Sequence, residues 1–292
     1  MNAVSTDVVT RAGVAVRCLN VVQIYTTAGG HDVVALRGVN LDIRPGEQVA
    51  LLGPSGSGKS TLLSLFGGIL RPSAGKVLID GKDIARIAEG DLGRLRSGKV
   101  ASLLQGASRN LLPYATAEDN IDFARRAVST AQRRRLLPPR ELLARLGMGA
   151  LARRQVSTMS GGERQRVAFA ATVSSGAGLL LADEPTSQLS HDDRDAMIEL
   201  IHQVNTEFGT TVVMVTHDPE VAERMPRSIT IRNGRIGSEG RHGFDYAVVD
   251  EDGAVHIPDD LASEFPAGRL VSFEQAEGGL LLRPVEERGH VE

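Results

Sequence analysis

The sequence predicts an α/β fold, a parallel sheet flanked by helices, followed by a small mostly-β unit at the C-terminus. Three observations carry this expectation. Residues 48–52, 179–182 and 211–215 are short apolar or β-branched runs, the pattern of strands covered on both faces. Helical periodicity across residues 192–208 separates the last two and gives a β-α-β succession. From Ser238 to Glu292 there are 13 acidic and 4 basic residues, a net of −9, which leaves +6 for the rest of the chain (29 basic, 23 acidic). A charge shift of that size marks two units with different surroundings.

At 292 residues the chain can bury one large core and a second small one. Its 41% hydrophobic and 24% charged content is that of an ordinary globular protein. No apolar run approaches the roughly 18 residues that cross a bilayer, and no charged start followed by an apolar stretch marks a signal peptide. The single cysteine, Cys18, has no internal partner for a disulfide, as expected in a reducing compartment, and reads as a small buried residue of the first strand.

In chain order, residues 14–22 and 33–44 read as strands, the second closed by Pro45-Gly46. Residues 48–52 form a buried strand that runs into a glycine-rich turn, and residues 60–70 then read as a helix. Residues 76–79 followed by Asp80-Gly81 are a further strand and turn, and residues 100–104 are strand-like. Residues 116–155 are helical in pattern and rich in arginine, and Pro138-Pro139 divides them in two. Residues 162–173 are again helical. The first 13 residues are expected to be flexible. In the tail, strands are expected at residues 245–249, 254–258, 269–274 and 279–283, with a short helix near 259–264. No internal repeat is evident.

The turn after residue 52 carries the chemistry. Gly53-Pro54-Ser55-Gly56-Ser57-Gly58-Lys59-Ser60, with Thr61 following, satisfies G-x-x-x-x-G-K-[ST] in full. Glycines let successive backbone N–H groups converge on phosphate oxygens, and the helix that follows adds the positive end of its dipole. A lysine at this place reaches the β- and γ-phosphates, and the Ser60 hydroxyl suits Mg²⁺. The bland alternative, a glycine turn that binds nothing, is disfavoured by a second feature. The apolar run at 179–182 ends in Asp183-Glu184, carboxylates at the carboxyl edge of the sheet, where ligands of such folds sit. Asp183 suits Mg²⁺, and Glu184 suits a general base acting on the water that attacks the γ-phosphate.

Met159-Ser160-Gly161-Gly162-Glu163-Arg164-Gln165-Arg166 is similar to the signature motif of ABC ATPases, and the resemblance covers about residues 14–237. It implies a P-loop NTPase of the ABC ATPase type over residues 14–240, with a helical subdomain at about 106–175 and an additional acidic β-rich domain at 241–292. It further implies that Ser160, Gly161 and Gly162 face the phosphate loop of a second subunit, so that two ATP molecules with Mg²⁺ lie between two copies. Tyr25 then stands where the family stacks an aromatic on adenine, Gln105 where a glutamine meets Mg²⁺ and signals to the membrane partner, and His217 where a histidine contacts the γ-phosphate. Tyr25 and His217 have bland readings as well: a strand-end tyrosine and a lone histidine after a strand.

Glu163 in place of the commoner glutamine, with the residues around Asn110 and Thr116, resembles the ATPases of lipoprotein-releasing, macrolide-exporting and cell-division systems. The implied role is an ATP-hydrolysing motor at the cytoplasmic face of the membrane, peripheral to a permease on a separate chain. Two positions depart from the family: Ser190 where an aspartate is usual, with Asp192 or Asp193 as the nearby substitutes, and Ala171 where arginine is common. Hydrolysis is expected to persist, since Lys59, Asp183, Glu184 and His217 are all present. The rivals are a soluble ABC ATPase outside transport and an ATP-binding regulator with little turnover. The basic helical stretch reads either as a solvated face or as a surface near anionic lipid, where each arginine contributes about 1 kcal/mol. Nucleic acid is not expected as a partner, because 3% aromatic content leaves few stacking platforms. The tail resembles the swapped hairpin of AbrB-like regulators, and its −9 charge favours a dimerisation or regulatory role over DNA binding.

Overall fold

A computed structural model of the chain describes residues 13–27, 29–241, 244–249, 253–255, 257, 261, 263–266 and 269–285. In order, the strands are β1 (Val16–Thr26), β2 (Asp32–Ile43), β3 (Gln48–Leu52), β4 (Ala74–Ile79), β5 (Lys82–Asp83), β6 (Val100–Leu103), β7 (Leu179–Asp183), β8 (Thr211–Val215), β9 (Arg227–Arg232), β10 (Arg235–Arg241), β11 (Phe244–Ala247), β12 (Val271–Ala276) and β13 (Gly279–Pro284). The helices are α1 (Lys59–Phe66), α2 (Glu89–Gly98), α3 (Ala117–Ala124), α4 (Thr130–Arg133), α5 (Pro139–Arg145), α6 (Gly161–Val173), α7 (His191–Phe208) and α8 (Pro219–Glu223).

The central sheet runs β11-β10-β9-β3-β8-β7-β6, parallel from β9 to β6 with an antiparallel edge at β10 and β11. Its apolar strands divide their side chains between two cores. Val49 and Leu51, Leu179 and Leu181, and Val213 and Val215 face one core with Leu62, Leu65 and Phe66 of α1. Ala50, Leu180 and Ala182, and Val212 and Met214 face the other with Phe169 of α6 and Ile198 and Ile201 of α7. Period-2 alternation between two covered faces is why these runs lack polar residues. A second, antiparallel sheet, β2-β1-β4-β5, closes over the α1 side and buries Cys18, whose thiol pKa burial pushes up to about 12.

Several elements differ from the sequence expectation. The helix expected over 60–70 stops at Phe66 because Gly67 and Gly68 turn the chain, Gly68 at a φ of 63° that favours glycine. Helix α2 and strands β9 and β10 carry no run long enough to stand out in sequence. The stretch 116–155 is a string of short helices rather than two long ones: a 3-10 turn at Arg125–Ala127 joins α3 to α4, Pro138-Pro139 opens α5, and a further 3-10 turn at Gly149–Leu151 follows it. Its arginines are only partly a solvated face. Arg125 is buried and donates from Nε to Ser174 O (3.0 Å) and from Nη1 to Leu137 O (2.7 Å). Arg145 pairs with Glu207 at 2.7 Å and lies over the Phe208 ring.

The tail begins on the central sheet, since β11 pairs with β10 through Ser238–Ala247 to Arg241–Phe244. Further on, β12 and β13 form a two-stranded hairpin with Phe273 opposite Leu282. The flexible N-terminus expected at 1–13 lies outside the described residues except for Gly13. The short helix expected at 259–264 does so in part, with Leu261, Ser263 and Glu264 in turns.

Arg227 of β9 ties the sheet edge together. It donates to Glu239 of β10 (2.8 Å), to Asp42 O at the end of β2 (2.7 Å) and to Glu47 before β3 (3.2 Å). Burial pushes the Glu239 carboxyl up, but the bonded guanidinium groups of Arg227 and Arg241 outweigh it and hold it below the ordinary glutamate range. A carboxyl lowered on folding contributes stability above its unfolded value of 4.5, and that contribution is lost as pH falls through the lowered value. Glu239→Gln is therefore expected to cost about 2 kcal/mol at neutral pH and to flatten the acid limb of stability below about pH 4.5. Denaturant midpoints at neutral and acid pH check this; an equal loss at both would contradict it.

Candidate functional site

The loop between β3 and α1 owes its shape to three glycines. Gly53 has a φ of 147° and packs so closely on β9 that a Cβ there would lie 2.1 Å from Ile231 O. Gly58 has a φ of 107°, and its Cβ would lie 2.7 Å from both Ala35 O and Leu36 Cδ2. Gly56 faces open space, so only its φ of 77° selects glycine. Lys59 is buried at the start of α1, and its Nζ donates to Gly53 O (2.6 Å) and Pro54 O (2.8 Å). Burial lowers its pKa, and the charges of Glu184 and Asp183 oppose that shift.

This loop opens onto a cavity of about 390 Å³ lined by Ser55, Gly56, Ser57, Gly58, Lys59, Ser60 and Thr61 together with Gln105, Asp183, Glu184 and His217. Asp183 ends β7, and Glu184 follows it with a φ of 49°. That backbone is fixed by Glu184 N donating to Val215 O (3.0 Å) and by the Ser187 hydroxyl donating to Glu184 O (2.9 Å). Burial and the neighbouring Glu184 charge push the Asp183 carboxyl above the ordinary aspartate range, against the pull of Lys59 and Arg109. His217 Nδ1 lies 2.9 Å from Glu184 Oε1, while the imidazole remains 69% exposed at the mouth of the cavity. Tyr25, at the end of β1, sits at the rim with its hydroxyl 3.3 Å from Thr61 Oγ1.

The residues fit a nucleotide with its metal. Three positive-φ glycines curl the loop, and the buried Ser57 hydroxyl has no hydrogen-bond partner within the protein. Ser60, Gln105 and Asp183, all oxygen donors, meet in one cavity and suit a hard divalent cation. Gly53 and Pro54 do not line the cavity; their carbonyls hold Lys59 instead.

Ser160, Gly161 and Gly162 lie away from this cavity. Ser160 caps α6, accepting from Glu163 N (3.1 Å), while Glu163 Oε2 accepts from Ser160 N (2.8 Å). Glutamate and glutamine both complete such a box, so the Glu163 departure keeps the start of α6. Gly161 faces open space, whereas a Cβ at Gly162 would lie 2.1 Å from the Asp193 carboxyl carbon. Ser190 caps α7 in the same manner, accepting from Asp193 N (3.3 Å) and donating to Asp193 Oδ2 (3.0 Å). Of the two acids considered near position 190, Asp193 is the one engaged, and it also accepts from Arg166. Serine and aspartate are both good helix caps, so the departure keeps the start of α7.

Sequence reasoning missed the residues that hold the site from behind. Asn110 accepts from Leu104 N (3.0 Å) and donates to Leu104 O (2.7 Å) and Gly106 O (2.9 Å), clasping the loop that carries Gln105. Gln165 is buried and donates to Pro185 O (3.1 Å), bracing the turn after Glu184 from α6. An asparagine five residues past Gln105 was the available signal for the first; nothing local marks the second.

Comparison with known proteins agrees with this geometry. The family model described as ABC transporter matches residues 36–187. The chain is 40% identical over 214 residues to the lipoprotein-releasing system ATP-binding protein LolD 2 of Caulobacter vibrioides, covering 73% of this chain and 92% of that one. It is 37% identical to the macrolide export ATP-binding/permease protein MacB of Shigella sonnei over 72% of this chain, which spans only 32% of that longer protein. Among solved structures, the dimeric post-hydrolysis state of an ATP-binding cassette bound to ADP and Pi superposes with a TM-score of 0.66 at 34% identity, covering 78% of this chain and all of the other.

Proposed function

The chain belongs to the ABC transporter family as an ATP-binding, ATP-hydrolysing subunit, and we propose that its cavity is half of a nucleotide site completed by a second copy. The observation that carries this reading is the separation just described. The phosphate loop, Asp183, Glu184 and His217 share one cavity, while the capped turn at Ser160 presents Gly161 to open space elsewhere on the surface. A helix start with free N–H groups and an exposed glycine suits a phosphate supplied from outside the chain.

In this reading Lys59 and the loop N–H groups grip the β- and γ-phosphates, and Tyr25 lies against the base. Ser60, Gln105 and Asp183 hold Mg²⁺, which neutralises phosphate charge when bound. Glu184 accepts the proton of the attacking water, and His217, bonded to Glu184, orients that carboxylate and meets the γ-phosphate. ATP closes two copies, hydrolysis opens them, and the stroke moves a permease on a separate chain at the cytoplasmic face of a membrane. Among the described residues, no helix is long and apolar enough to cross one. The likeness to LolD and MacB supports a partner of the lipoprotein-releasing or macrolide-exporting type.

We extend the second copy to the tail, with residues 241–292 as a dimerisation unit of swapped-hairpin type. Phe273 and Leu280 of the β12–β13 hairpin are 69% and 74% exposed on one apolar face with Leu282, and an isolated two-stranded hairpin is marginal in water. The described segment 269–285 is itself neutral, Arg269 and Arg283 balancing Glu274 and Glu277, so two copies can meet there despite the acidic tail.

Sedimentation tests both readings. A Glu184→Gln protein is expected to form an ATP-dependent dimer that Ser160→Arg abolishes. Truncation after residue 268 is expected to spare that dimer but weaken nucleotide-free association. A Ser160→Arg dimer as stable as the parent would overturn the composite site, and unchanged nucleotide-free association would overturn the tail assignment.

A further inference from the structure

The turn at Ser160 has two glycines at the first positions of α6, Gly161 and Gly162, and glycine gives the backbone more freedom there than any other residue. What restrains it is Glu163, and what restrains Glu163 is Arg154. The Arg154 guanidinium donates from Nη1 to Glu163 Oε1 (2.8 Å) and from Nη2 to Thr158 O (2.9 Å), so it spans the approach to the turn and its cap together. The backbone behind Arg154 is itself braced: Glu118 N donates to Ala152 O (3.0 Å), Ala117 N to Arg154 O (3.2 Å) and Val156 N to Ala115 O (3.0 Å). Thr116 and Asp119 close a second reciprocal cap on that side, at the start of α3. Asn120, buried, clasps Leu112 through both its backbone groups.

The magnitudes separate a structural from a positioning role. Arg154 and Glu163 side chains are 42% and 24% exposed, and a pair of that kind adds little to stability. A device of so little worth to the fold is well placed to order a glycine turn.

We propose that Arg154 is a positioning residue for the nucleotide site, holding Glu163 so that the Ser160 turn is preorganised for the γ-phosphate bound by the second copy. Glu163 Oε2 keeps Ser160 N fixed, and Ser160 Oγ accepts from Glu163 N, which leaves the Ser160 hydroxyl proton to donate outward. This rests on the composite-site reading.

The test is steady-state ATPase of the full chain with Arg154→Ala, Arg154→Lys, Glu163→Gln and the double variant Arg154→Ala/Glu163→Gln. Arg154→Ala is expected to lower kcat on the order of tenfold, with KM for ATP and the thermal midpoint near the parent's, because a small misplacement of a phosphate-contacting group acts on turnover. Lysine is expected to restore part of the loss through one remaining donor. The double variant is expected to match Glu163→Gln alone, because Arg154 acts through that carboxylate. Unchanged kcat in Arg154→Ala, a fall in the midpoint matching the fall in kcat, or additive losses in the double variant would overturn the proposal. The ATP-dependent dimer of Glu184→Gln, assayed in parallel, distinguishes the two levels. If that dimer is absent the composite site fails; if it forms while Arg154→Ala keeps full kcat, only the role of Arg154 fails.

Discussion

Replacing Glu184 by glutamine is expected to lower ATP turnover about 10²- to 10⁴-fold while leaving ATP affinity near that of the parent. The size of the effect follows from what the carboxylate does and what glutamine keeps. Glu184 is held at a φ of 49° by hydrogen bonds of its own backbone to Val215 and Ser187, none of which involves its side chain. Its carboxylate is mostly buried and lies 2.9 Å from His217 Nδ1. Glutamine has the same shape and can still accept from that nitrogen, so the cavity keeps its form. It cannot accept a proton from water. Turnover and equilibrium nucleotide binding, measured on the same preparation, separate the two. Turnover within threefold of the parent would remove Glu184 as the base and revive the reading of a regulator with little hydrolysis.

Lys59→Ala is expected to weaken ATP binding by roughly 30-fold at least, and by up to several thousandfold, because truncating a buried charged partner costs about 2–5 kcal/mol. Lys59 is preorganised: two loop carbonyls hold Nζ at 2.6 and 2.8 Å beside the space a phosphate would fill. Its charge is opposed by burial and supported by Asp183 and Glu184. Removing it leaves two carboxylates facing an anionic ligand without a counter-charge. A fluorescent nucleotide titration checks this, and circular dichroism confirms that α1 remains. Affinity within a few fold of the parent would mean that the phosphates lie elsewhere.

The local pattern made the central sheet legible. Strands β3, β7 and β8 are apolar apart from one terminal residue each because both faces are covered, and that leaves a readable run. The phosphate loop was legible because its chemistry is contiguous: curvature, lysine and hydroxyl all lie within residues 53–61. Helix α2 and strands β9 and β10 were not, since they mix polar and apolar residues and keep one side only partly buried. The helical stretch 116–155 misled in detail, because it breaks into short turns, only some of them at prolines and glycines, whose orphan groups are met by Arg125, Asn120 and Thr116. Arginines that read as a solvated face proved in part to be internal donors to those groups.

By itself the sequence determined the motifs: a loop that curls around phosphate, paired carboxylates at a strand end, and a serine-glycine turn before a helix. Each is a local matter of backbone freedom and residue chemistry, fixed within a few positions. Only the tertiary structure decided which of them share a cavity and which face away, because that depends on the parallel order β3-β8-β7 bringing residues 59, 184 and 217 together. It also decided that Ser190 caps a helix, that Asp193 rather than Asp192 is drawn to it, and that Arg154 stands behind the Ser160 turn. Such contacts join residues through side chains whose partners no short spacing in the sequence specifies.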